Sequence, residues 1–294
     1  MTKEIWLGPI RGRSRGQLIQ RCSALLQDTG IRGDDRCAEF LYLPASRPLL
    51  DFVTDQLLEV SSAVWGSLPV HLFNGFVNRV LSTAIDSITG KPLAPRIPID
   101  REELPLKRSL IARLIKSLAR DGRISTLDPL VGTDGCINSI AHIIGEIQRA
   151  AKNPSEFEAV LTARSPDLFD GARLLFPSIR QSDFDREVCI IYKAYRDVLD
   201  RAALTEEDTD QLLALSVLRG AMDGSPVTCP WLGWGLAPGA ERVRLLVLDG
   251  FFDFTPIQGE MLRLLIDRID DVVISLNHDE ANPEVFRAFD HTIE

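Results

Sequence analysis

The residue of this 294-residue chain best placed to do chemistry is an aspartate that closes an apolar run, Leu245-Leu246-Val247-Leu248-Asp249. Four consecutive apolar residues read as a strand buried on both faces. The carboxyl end of such a strand is the edge at which open α/β sheets bind ligands. A carboxylate there can hold a magnesium ion in a nucleotide site, or it can simply cap the turn that follows. In a site that hydrolyses nucleotide the next position carries a glutamate; here it is Gly250.

A second constellation lies near the amino terminus, in Leu7-Gly8-Pro9-Ile10-Arg11-Gly12-Arg13-Ser14-Arg15-Gly16. A strand, a glycine-bearing loop and a helix form the setting of a phosphate-binding loop. Counting from Gly8, however, the second glycine of that motif falls on Arg13, its lysine on Ser14 and its magnesium-holding hydroxyl on Arg15. Two readings stand. Arg11, Arg13 and Arg15, close to a helix start, hold an anion such as a nucleotide or DNA phosphate, or they are solvated side chains on an eroded loop. Under either, hydrolysis is not expected, and no residue is assigned a catalytic role.

A third candidate is cationic. Lys107, Arg108, Arg113, Lys116, Arg120 and Arg123 fall in one helical stretch. Arg113, Lys116, Arg120 and Arg123, spaced 3, 4 and 3, form one stripe, and Leu110, Leu114 and Leu118 another. Such a stripe can track DNA phosphates or be an ordinary solvated face. The four histidines lack metal-ligand spacing, and His142 in an apolar helix reads as a packed core or boundary residue. His278 with Asp279 follows a predicted strand, but no nucleophile motif accompanies it. Tyr192 and Tyr195 read as core contacts. The five cysteines are odd in number and form no CxxC pair, which argues against a disulfide framework or a zinc site. The net charge of -9 excludes a chain that is basic as a whole, though not a local basic face.

Elements must position these groups. Strands are expected at Glu4–Pro9, Glu39–Pro44, Pro69–Phe73, Val243–Asp249 and Asp271–Leu276, alternating with helices at Leu18–Leu26, Leu49–Leu58 and Ile257–Ile269, the rhythm of a doubly wound sheet. Between the third and fourth strands the apolar spacing is helical throughout, at Leu106–Ala119, Ile137–Ala151, Asp183–Leu199 and Glu206–Leu218. Ser155 reads as an N-cap. Pro226, Pro230, Pro238, Gly233, Gly235 and Gly239 mark a return linker. The expected organisation is an α/β domain split into 1–100 and 220–294, with a helical subdomain at 101–219.

The stretch from Asp249 to Gln258 resembles the D-E-F-Q-D-T-N-P-x-Q segment of UvrD-like DNA helicases, with Asp249, Phe251, Asp253, Pro256 and Gln258 in register. Gly250 stands at the glutamate and Phe252 at the glutamine. The form D-G-F-x-D-F-T-P is closer still to AddB-like subunits of bacterial helicase–nucleases and related RecB-family exonuclease proteins. Phe40–Leu49 is similar to their Y-L-V-P-T-R-R-L segment, and His71–Phe76 resembles their T-F-H-x-F region, which implies that His71 and Asn74 lie near DNA. Tyr192–Leu199 with Leu204–Asp208 resembles a helix–turn–helix before the aspartate strand. Val273–Phe286, with Asp279, faintly echoes G-D-x-x-Q-x-I-Y-x-F, Asn282 standing where the glutamine belongs.

The resemblance implies a P-loop NTPase (RecA-like) α/β fold with an inserted helical subdomain. It also implies the helicase-like, non-motor region of a subunit that processes DNA breaks, binding DNA or a motor subunit without ATP hydrolysis. Gly8, Arg11, Arg13, Ser14, Arg15, Asp249 and Gln258 would form a degenerate nucleotide or anion site, with ATP and magnesium not expected there. No PD-(D/E)xK signature follows Pro166-Asp167, so a family nuclease would lie beyond Glu294, where the chain reads as cut short. The alternatives are a divergent NTPase and a protein scaffold without DNA affinity. No membrane span or secretory signal is read, so a reducing, cytoplasmic setting is expected.

Overall fold

The computed structural model describes residues 2–8, 14–28, 39–60, 68–99, 106–164, 180–222, 224–233, 243–251 and 253–277. In chain order the elements are β1 (Thr2–Gly8), α1 (Ser14–Asp28), β2 (Phe40–Pro44), α2 (Arg47–Val60), α3 (Phe73–Thr83), β3 (Ile85–Asp86), β4 (Ile97–Pro98), α4 (Leu106–Arg120), α5 (Asp134–Arg149), α6 (Pro154–Ala163), α7 (Gln181–Arg201), β5 (Leu204–Thr205), α8 (Glu207–Arg219), β6 (Ala221–Met222), β7 (Ser225–Thr228), β8 (Leu245–Asp249), α9 (Pro256–Arg268) and β9 (Asp271–Asn277). The chain divides into two compact units, Met1–Leu93 with Leu213–Glu294, and Ala94–Leu212. The junctions fall at Ala94 and Leu213 rather than at 101 and 220, the second of them inside α8.

The first unit is built on a parallel sheet of order β1-β9-β8-β2. Residues of β2 and β8 are buried along their whole length, as a strand covered on both faces requires. Strand parity then sorts the side chains. Tyr42, Val247 and Val273 lie on one face and pack with Leu18 and Cys22 of α1 and Val53 and Leu57 of α2. Asp249 has the same parity as Val247 and therefore faces the helix that follows β1.

The strand expected at Pro69–Phe73 shrinks to a single bridge between Val70 and Tyr42, because Phe73, Phe76, Val77 and Val80 have helical spacing and begin α3 instead. The expected return linker is structured at its start. β7 pairs antiparallel with β3 and β6, and Pro230–Leu232 forms a helical turn that buries Trp231. Gly224, just before β7, takes φ +79°, a left-handed conformation that suits glycine.

The second unit is helical apart from the short parallel pair β4-β5. Its core is made by Ile111, Ile115, Ile144, Ile191, Tyr192 and Tyr195 with their neighbours, so both tyrosines are core residues, as their spacing suggests. The buried seam of α4 is Ile111, Ile115 and Leu118; Leu110 and Leu114 flank it, only partly buried. His142 is neither a core nor a boundary residue: its side chain is 72% exposed, within 3.8 Å of Glu146. The cap of α6 is Asn153 rather than Ser155. Its side chain accepts from the Glu156 N–H while the Glu156 carboxylate accepts from the Asn153 N–H, with Pro154 as the first helical residue. Among the described residues, no helix is long and apolar enough to cross a membrane.

Candidate functional site

β1 and β8 end at the same edge of the sheet, separated by β9. Two strand spacings amount to about 9.6 Å. An arginine covers that gap. Arg15, in the first turn of α1, donates from Nε to Asp249 Oδ2 at 2.8 Å and from Nη2 to Oδ1 at 3.1 Å. Tyr42, from the other side of β8, donates its hydroxyl to Oδ2 at 2.7 Å. Asp249 and Tyr42 have no exposed surface, and the Arg15 side chain is 18% exposed.

The electrostatics follow from that packing. Hydrogen bonding to Asp249 raises the Arg15 pKa further, so the guanidinium stays charged. Burial, followed by the neighbouring Asp249 charge and hydrogen bond, pushes the Tyr42 phenol far above its ordinary value, so it remains a proton donor. The Asp249 carboxylate thus receives three donors, out of about four lone-pair directions it can offer. Its carbonyl accepts from the Ala45 N–H at 2.9 Å, which ties the start of the next connection to β8.

The turn after β8 is equally committed. Gly250 adopts φ +78° and donates its N–H to Ser275 of β9 at 3.0 Å. A side chain at this position would force a left-handed conformation costing about 1–2 kcal/mol. Gln258 is the third residue of α9 and forms a capping box with Thr255: its amide oxygen accepts from the Thr255 N–H at 3.1 Å, and its own N–H donates to the Thr255 hydroxyl at 3.4 Å. Thr255-Pro256-Ile257-Gln258 carries that signature in its sequence, S/T-x-x-E/Q with proline at the first helical position.

The predicted phosphate loop is brought to this place only in part. Gly8 ends β1 in register with Asn277 and Ser14 starts α1, while Arg11, Arg13, Phe252, Asn282, His278 and Asp279 lie outside the described residues. Arg15 and Asp249 meet directly, which counting along the motif had not foreseen, and Tyr42 was not among the expected site residues at all. Its parity with Asp249 on an adjacent strand was the available signal. His71 follows the Val70 bridge at the same sheet edge, its ring edge-on to Trp231 with centroids 5.5 Å apart. Asn74 is exposed near the start of α3.

No protein-family model matches the chain, and no curated protein is significantly similar to it.

The cationic residues belong to the helical unit. Arg113, Lys116 and Arg120 are exposed on the side of α4 opposite Ile111, Ile115 and Leu118, and Arg123 is exposed just after the helix. Arg120 is 3.8 Å from Asp121 and Arg108 3.5 Å from Asp134, both pairs lying in solvent. Lys107, in the first turn of the same helix, has its Nζ 2.8 Å from the buried Glu206 carboxylate. The end of the row is held from below. Glu187, buried on α7, accepts from the N–H groups of Ser125, Thr126 and Leu127 at 2.7–2.8 Å, fixing the turn that follows Arg123. Burial opposes its ionisation, yet the three backbone donors prevail and its pKa lies below the usual carboxylate value.

Proposed function

We propose that this chain is the helicase-like, non-motor region of a DNA-break-processing subunit of the AddB type, and that it holds DNA or a motor partner without hydrolysing ATP. The observation that carries the reading is the capture of Asp249 by Arg15 and Tyr42 at the sheet edge where a nucleotide site would need a free carboxylate. The absent loop lysine and the left-handed Gly250 point the same way. A RecA-like frame is supported by the parallel order β1-β9-β8-β2, with the end of β1 at Gly8 and Asp249 at the end of β8 on one edge.

The row Arg113, Lys116, Arg120 and Arg123 is the surface we assign to the sugar–phosphate backbone. Cations along one helix face contact phosphates without reading bases, so binding is insensitive to sequence. Fluorescence anisotropy with a labelled oligonucleotide over a salt series tests this. Binding that weakens with salt and is lost on reversing Arg113, Lys116 and Arg120 to glutamate supports it. Undetectable binding at low salt refutes it and leaves a scaffold. ATP turnover with DNA present, abolished by Asp249→Ala, favours the divergent NTPase instead.

A further inference from the structure

A magnesium ion in a nucleotide site needs oxygen ligands at about 2.1 Å in octahedral array. In the motif to which this loop corresponds, one ligand comes from the Ser/Thr after the lysine and another is held through the strand-end carboxylate. At those two positions this chain has Arg15 and Asp249. The donor set does not fit a divalent cation. One partner is itself a cation and offers no acceptor, and the other has both oxygens engaged by it. A divalent ion beside the guanidinium is repelled by it, twice as strongly as a monovalent ion at the same distance.

The same two elements that a bound cation would join are joined here directly. The Arg15 side chain carries positive charge from the α1 start across the end of β9 to β8, and Tyr42 braces the carboxylate from β2. We propose that the Arg15 guanidinium is the permanent occupant of the position where a phosphate loop holds its metal, making the site a fixed latch between α1 and the sheet. This rests on reading residues 8–15 as the remnant of such a loop, and it deepens the proposed function: the region keeps a ligand-loaded arrangement without a ligand.

Two measurements on the full chain test it. The first is a thermal-denaturation cycle with Arg15→Leu, Asp249→Leu and the double variant. Leaving one buried charge unpaired should lower the midpoint by roughly 10 °C in each single variant, with the double variant no worse than the poorer single. Additive losses overturn the latch. Arg15→Lys, which keeps the charge but cannot bridge both oxygens, should fall between wild type and Arg15→Leu; a midpoint equal to wild type also counts against it. The second uses manganese as the probe. Wild type should show no Asp249-dependent stabilisation by the ion. Arg15→Ser should gain one that Asp249→Asn removes. Wild-type protein stabilised by manganese through Asp249, or an Arg15→Ser variant indifferent to it, overturns the proposal. Oligonucleotide binding by the α4 row is followed in the same variants. Its absence in wild type refutes the functional reading and leaves the latch to be judged on the cycle and the manganese titration.

Discussion

At the scale of single residues, two carboxylates and a glycine carry the argument. Gly250 shows why the missing glutamate is not a simple reversible loss. Its φ of +78° suits glycine, and its N–H is bonded to β9. Gly250→Glu is therefore expected to lower stability by about 1–2 kcal/mol in urea denaturation and to yield no ATP turnover in a coupled assay; measurable turnover would contradict the committed Asp249. Glu187 gives a pH signature. Its folded pKa is depressed, so its contribution is present in full above the unfolded value of about 4.3 and is lost as pH falls through the folded value. Glu187→Gln should cost about 1–3 kcal/mol at pH 7, with the difference from wild type shrinking steadily below pH 4. A difference that persists unchanged at low pH would show that charge is irrelevant to the turn at Ser125–Leu127.

At the scale of elements, three helices of the second unit end in the same way with different residues. After α4, the Gly122 N–H bonds to Ala119 and the Arg123 N–H to Leu118, with Gly122 at φ +68°; after α5, Ala151 and Lys152 bond to Gln148 and Ile147, with Ala151 at φ +57°. Ala203 takes φ +51° after α7. Glycine relieves the steric penalty of this left-handed position. Ala151→Gly should thus raise stability by up to about 1 kcal/mol and Gly122→Ala should lower it by a similar amount; changes of the same sign in chemical denaturation would refute the comparison. These endings also show what could be read in advance. The buried strands at Phe40–Pro44 and Leu245–Asp249 and the long amphipathic helices follow from apolar spacing, which records burial directly. The Arg15–Asp249–Tyr42 contact does not, because residues 15, 42 and 249 are joined by sheet order rather than by any local pattern. The ion pair of Lys107 is illegible for the same reason: its partner Glu206 stands about a hundred residues away, beyond three helices. His142 was misassigned because an apolar composition does not say which face of a helix a residue occupies.

At the scale of the whole molecule, a net charge of -9 repels a polyanion everywhere except where cations cluster. Neutralising Arg113, Lys116 and Arg120 to alanine is therefore expected to abolish oligonucleotide binding at low salt rather than to weaken it by degrees; retained binding would place the interface elsewhere. A last consequence concerns time rather than energy. β1 is bonded to β9 along seven residue pairs, from Thr2↔Asp271 to Gly8↔Asn277, so it pairs with a strand made more than 260 residues later. At about 5–20 residues per second, a ribosome leaves β1 without its neighbour for roughly 13–50 seconds, long enough for the helices of Ala94–Leu212 to form first. The sheet is thus completed only after the helical unit has been made, and Arg15 of α1 meets its partner Asp249 of β8 across a sequence separation of 234 residues.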